Sequence, residues 1–137
     1  MQVARADEPA SDSGPAVVFQ AVAFRRKAMA HEKYAACISA CNDCAMACSH
    51  CAAACLHEDD VRMMAACIAL DMDCATICQL VAAAMARDSA HAPAICRLCA
   101  EICTACGAEC AKHSHAHCQA CAQACRRCAD ACRQMAA

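Results

Sequence analysis

The chain has 137 residues, a formal net charge of −2 from 12 basic and 14 acidic residues, and 19 cysteines. That length predicts one compact domain, and the near-even charge balance leaves no basic block for nucleic acid and no single-sign tail. The 61% hydrophobic content is mostly 39 alanines and 19 cysteines; beside them stand only 4 Leu, 5 Ile, 2 Phe, 1 Tyr and no Trp, too few large side chains for an ordinary core.

Residues 1–16 hold Pro9, Pro15, Gly14, Ser11, Ser13 and the acids Asp7, Glu8 and Asp12, and read as a flexible lead. Residues 17–137 are expected to form the domain. "VVFQAVAFRRKA" at 17–28 predicts a short additional helix. No apolar stretch is expected to approach the roughly 18 residues of a membrane span. The start does not read as an export signal, because acids precede the short apolar run and Arg25-Arg26 follow it. The expected compartment is the cytoplasm. In a reducing cytosol a high cysteine count points to metal rather than to disulfides.

From residue 29 onward Gly107 and Pro93 are the only Gly and Pro in an alanine-rich chain, so long helices follow. Breaks are expected at three places. "HEDD" at 57–60 offers Asp59 or Asp60 as an N-cap. "RDSAHAP" at 87–93 ends one helix and puts Pro93 in the first turn of another. "KHSHAH" at 112–117 offers Ser114 as a cap. The reading is all-α: helices over about 30–57, 60–87, 92–113 and 115–135, joined by short connections into an antiparallel up-down-up-down four-helix bundle.

The cysteines fall on one register of this frame. The first helix carries Cys37, Cys41, Cys44, Cys48, Cys51 and Cys55, in "CISACNDCAMACSHCAAAC". The second carries Cys67, Cys74 and Cys78. The third carries Cys96, Cys99, Cys103, Cys106 and Cys110, and the fourth Cys118, Cys121, Cys125, Cys128 and Cys132. Each set alternates steps of three and four, the seam of a heptad. Vacant seam positions of the second helix hold Met64, Asp71, Val81 and Met85. Outer positions carry Asn42, Asp43, Arg97, Glu101, Glu109, Gln119, Gln123 and Arg127. The predicted bundle is polar outside and thiol inside.

A disulfide scaffold fits this poorly, since β-carbons one turn apart lie roughly 5–6 Å from each other and a disulfide wants about 3.8 Å. A plain cysteine core would leave voids between seams of small residues. Metal fits. Two opposed metal–sulfur bonds of about 2.3 Å span about 4.6 Å, close to one helical turn, and soft thiolates and thioethers favour Cu(I). Some 19 monovalent ions would balance 19 thiolates. Zn²⁺ needs its thiolates in fours, and no iron–sulfur run of the ferredoxin kind occurs.

These repeated CxxxC and CxxC seams on four helices resemble the cytosolic branch of the bacterial copper storage proteins, over roughly 30–135. The resemblance implies storage of many Cu(I) ions by thiolates in the bundle core, no catalysis, and assembly as a homotetramer. A copper chaperone is a candidate partner beside the copper ions. Two other functions are weighed beside it: a general thiolate sink for Zn(II) or Cd(II), like a metallothionein, and a copper-delivery protein.

Antiparallel topology brings the turns at 57–60 and 112–117 to one end of the bundle. That end gathers His57, Asp59, Asp60, Met63, Met64, His113, His115 and His117, and is read as the metal's mouth. His113, His117, Asp60 and Met64 are the candidate ligands there beside the cysteines. The far end has Met29, Tyr34, Met85, His91 and Met135, with Tyr34 as a plug. His31 and His50 are expected on the surface. Asp71, a carboxylate on the seam, either takes a partner or metal inside or turns outward; burial of a lone carboxylate is costly.

Overall fold

Alanine removes side-chain entropy from helix formation, and the residues between Ala16 and Ala54 include neither Gly nor Pro. The computed structural model, which describes the backbone from Pro15 and side chains from Glu32, accordingly carries one unbroken helix, α1, over Pro15–Cys55. The expected separation of a 17–28 helix from the bundle helix is therefore corrected, because no breaker lies between them. The flexible lead falls outside the described residues except for Pro15 and Ala16. So do the side chains of Met29 and His31.

After α1, a single 3₁₀ turn over Val61–Met64 leads into α2, Ala65–Ala86. Helix α3 covers Ala92–Cys110 with Pro93 in its first turn, and α4 covers Ala116–Ala136. Each helix packs against two neighbours in a closed ring, α1 on α2, α2 on α3, α3 on α4 and α4 on α1. Sulfur contacts set the directions. Cys37 meets Cys132 while Cys55 meets Cys118, and Cys67 meets Cys110 while Cys78 meets Cys99. Neighbours are thus antiparallel, as expected. Val61–Ala86 is the one described helical span whose length and mean hydropathy, 1.6, would also suit a bilayer. The run thus exceeds what the sequence reading allowed, because alanine, cysteine and methionine raise its hydropathy. Here it is a bundle helix with its seam turned inward.

The ends form differently from expectation. Asp60 precedes the 3₁₀ turn without capping it, and His115 rather than Ser114 precedes α4, also without a side-chain cap. Asp60 is turned toward His115, 3.6 Å away. Gln119 does part of the work a cap would do: its Nε2 donates to the carbonyls of Ala111 and His113 at 3.2 and 2.6 Å. That satisfies orphan acceptors at the C-terminal end of α3. At the other end Asp88, at φ 53°, closes α2. Asp88 N–H donates to the Met85 carbonyl and Ser89 N–H to that of Ala84, the hydrogen bonds of a Schellman ending.

Small residues let the helices approach. Ala45, Ala75, Ala84, Ala122 and Ala129 are buried beside the cysteine seams. Gly107 marks a close approach of α3 to α4: a Cβ there would lie 3.2 Å from Cys125 Cβ and 3.4 Å from the Ala122 carbonyl oxygen. Gly107→Val is expected to force α3 off α4 and cost the metal-free protein about 1–3 kcal/mol. Urea unfolding measures this; a midpoint unchanged from wild type would show that the two helices separate freely.

Candidate metal centre

All 19 cysteines are free thiols, and all are buried. Polar groups ride on the outside, and His50 is exposed as expected. The seam positions left vacant by α2 also point in: Met64, Asp71, Val81 and Met85 are each 0% exposed. The lumen is thus lined unequally. Three walls are almost wholly sulfur, and the fourth supplies the largest fully buried side chains.

Sulfurs one turn apart are closer than a linear two-coordinate ion would need. Cys44–Cys48, Cys51–Cys55 and Cys121–Cys125 are 3.9 Å apart, and Cys99–Cys103 3.7 Å. Neighbouring helices complete triangles. Cys51, Cys55 and Cys118 form one with edges of 3.9, 3.8 and 3.9 Å. Its centre lies about 2.2 Å from each sulfur, near a metal–thiolate bond length. Cys44, Cys48 and Cys125 form another at 3.9, 3.7 and 3.7 Å, and Cys78, Cys99 and Cys103 a third at 3.8, 3.7 and 3.7 Å. The spacing therefore suits three-sulfur sites as it stands. Sulfurs are also shared: Cys44 reaches Cys74, and Cys48 reaches Cys121. Groups of four such as Cys41, Cys99, Cys128 and Cys132 run along the lumen.

Asp71 lies inside. Its Oδ1 accepts hydrogen bonds from the thiols of Cys106, Cys110 and Cys121 at 3.2, 3.4 and 3.2 Å, and Oδ2 one from Cys67 at 3.7 Å. Burial, and then the Cys121 sulfur, raise its pKa to about 9. The carboxyl is therefore protonated in the metal-free lumen near neutral pH. Burial likewise pushes Cys96 and Cys118 up to about 11. An incoming metal must displace these thiol protons.

At one end the turn after α1 meets the turn before α4. His117 directs Nδ1 at the sulfur triangle, 3.5 Å from Cys51 and Cys118 and 3.9 Å from Cys55. Its Nε2 meets Glu58 Oε1 at 2.9 Å. His115 stacks on His117 at 5.4 Å and lies 3.5 Å from Glu58. Met64 is buried at this end of the α2 seam. His113 turns aside to Glu109, 3.3 Å away. His57 and Met63 are exposed. Of the four candidates beside the cysteines, the fold brings His117 to the sulfurs, seats Met64 at the head of the α2 seam, and pairs Asp60 and His113 with other side chains. Glu58 is the residue that sequence reasoning missed. It is one of three consecutive acids, and nothing in the run distinguishes it from Asp59 or Asp60. At the far end Tyr34 and Met135 pack half-buried against the core, Met85 is fully buried, and His91 is exposed.

Chemically the lumen offers soft, anionic, closely shared donors. Monovalent ions match it one charge per thiolate. Divalent Zn²⁺ would take the same sulfurs in only four or five sites, roughly, at four ligands each.

Comparison with known proteins agrees with this chemistry. The family model described as copper storage protein matches residues 30–137. The copper storage protein BsCsp3 with Cu(I) bound is 55% identical, with a TM-score of 0.74 over 76% of this chain and 98% of its own. The copper-free copper storage protein 3 from Bacillus subtilis is 54% identical, with a TM-score of 0.71 over 76% of this chain and 99% of its own. A cytosolic copper storage protein from Streptomyces lividans holding five coppers is 43% identical, with a TM-score of 0.75 over 80% of this chain and 96% of its own. No curated protein sequence matches significantly.

Proposed function

The chain belongs to the copper storage protein family, and we propose on that footing that all 19 cysteines are the ligands of a Cu(I) store filled from the His117 end. The protein stores Cu(I) in its thiol-lined bundle, and its cargo is many ions per chain. The observation that carries the ligand assignment is the set of shared three-sulfur triangles, with edges such as 3.9, 3.8 and 3.9 Å at Cys51, Cys55 and Cys118. The role is sequestration and not catalysis. The compartment is the cytosol, where a reducing medium keeps the thiols available. The working unit is a homotetramer, and a copper chaperone brings the metal.

Anaerobic titration of the reduced protein with Cu(I) beside a competing chelator tests storage. We expect on the order of 19 ions per chain from charge matching of thiolates. Binding of only one or two would defeat it.

The mouth comprises His117 as the first nitrogen donor, Met64 as a thioether just inside, and His113 and Asp60 as outer residues of the vestibule. Imidazole and thioether hold Cu(I) less tightly than thiolate, which suits transfer inward. Replacing His113 and His117 with alanine is expected to slow Cu(I) loading about tenfold, in the range seen when a metal site loses a supporting group, without lowering final capacity. Stopped-flow absorbance at the thiolate-to-copper band follows this, and unchanged loading and removal rates would sink the assignment.

A further inference from the structure

His117 has two ring nitrogens, and only one can serve copper without first losing a proton. We infer that Glu58 is the positioning residue that sets which one: it holds the Nε2 proton of His117 and thereby leaves the Nδ1 lone pair facing the Cys51–Cys55–Cys118 triangle. The inference rests on the storage reading and adds to it the control of the first site metal meets.

The geometry is specific. Nε2 lies 2.9 Å from Glu58 Oε1. A carboxylate accepts and does not donate, so the nitrogen facing it carries the hydrogen. In the neutral ring Nδ1 is then bare. It stands 3.5 Å from the sulfurs of Cys51 and Cys118 and 3.9 Å from that of Cys55. A fourth donor thus sits over a three-sulfur face whose centre already suits a metal. The ring is also held against rotation. His115 stacks on it with planes 8° apart and centroids 5.4 Å apart. The same Glu58 oxygen lies 3.5 Å from His115 Nδ1, and Asp60 lies 3.6 Å from His115 Nε2. The carboxylate therefore ties the α1–α2 turn to the start of α4 and aims the imidazole inward. Carboxylates behind metal-bound histidines act this way generally, fixing tautomer and orientation.

With the tautomer fixed, a Cu(I) ion can be taken by Nδ1 with no proton leaving the ring. Only the thiols give up protons, to solvent. With the opposite tautomer the ring would present an N–H to the sulfurs and could bind only after turning over.

The test combines affinity with a tautomer readout in the full-length protein. Glu58→Ala should weaken the first Cu(I) ion, read by chelator competition, about 10- to 100-fold, with capacity at saturation unchanged. In the His117→Ala background the same substitution should add nothing, because the effect travels through the ring. Nitrogen-15 NMR of labelled histidine should show His117 protonated at Nε2 in the wild type and lose that preference in Glu58→Ala. Three results overturn the role: an unchanged first-ion affinity, an equal loss in both backgrounds, or a His117 ring protonated at Nδ1 in the wild type. Each of them leaves storage standing while wild-type capacity remains high. Storage itself fails only when the wild-type protein takes up one or two ions.

Discussion

Replacing Cys44, Cys48 and Cys125 together with alanine is expected to lower Cu(I) capacity by about three ions per chain, since each thiolate balances one monovalent charge. This triangle has edges of 3.9, 3.7 and 3.7 Å, and its members also reach Cys74 and Cys121. It thus sits where sulfur sites from both ends of the lumen join. A loss larger than three ions would show that a removed sulfur takes a bond from more than one metal. Binding must also release thiol protons, so the variant should release about three fewer per chain on full loading. Chelator-competition titration and a pH-stat measure the two numbers, with circular dichroism to confirm that the helices persist. A variant with wild-type capacity would show that the mid-lumen thiols are packing residues only.

Met85→Ala is expected to cost the metal-free protein about 2–5 kcal/mol, the usual range for removing a fully buried methionine from a core. Met85 is 0% exposed and among the largest fully buried side chains of the bundle. Tyr34 and Met135, partly buried, pack against the same core. The chain has few other large apolar groups to move into the space. Met46, 62% exposed on α1, is the control: Met46→Ala should change stability by no more than about 0.5 kcal/mol. Guanidinium unfolding of the two apoproteins gives the contrast. Equal midpoints would mean that the far end is loosely filled and that Met85 adds little to its packing.

Much of this molecule is legible without coordinates. A helix's seam is a property of one segment and its own periodicity, so Cys37 through Cys132 could be assigned to inner faces from step sizes alone. The breaks at 57–60, 87–93 and 112–117 follow from local chemistry in the same way, and helix starts and ends agree within a few residues except at the start of α1, which lies at Pro15 rather than near residue 30. The caps were not legible. Asp60 and Ser114 have suitable side chains, but His115 and Gln119 reach across the turns and take over the contacts. The continuity of α1 was legible only in part, since the run from Ala16 to Ala54 contains no breaker and yet its composition changes near residue 29.

Count, phase and softness of the donors follow from the sequence: 19 thiols at the seam positions of four alanine-rich helices, with few large side chains to fill the space otherwise. How those donors meet depends on the packing of the helices. The 3.9, 3.8 and 3.9 Å edges at Cys51, Cys55 and Cys118 depend on the rotation and separation of two helices. So does the placement of Asp71 under three thiols. The choice of Glu58 over Asp59 and Asp60 as the partner of His117 depends on the path of two turns. Periodicity is set by the backbone within a helix. Distances between helices are set by the small residues where they touch, such as Gly107 against Cys125, and by the loops that join them.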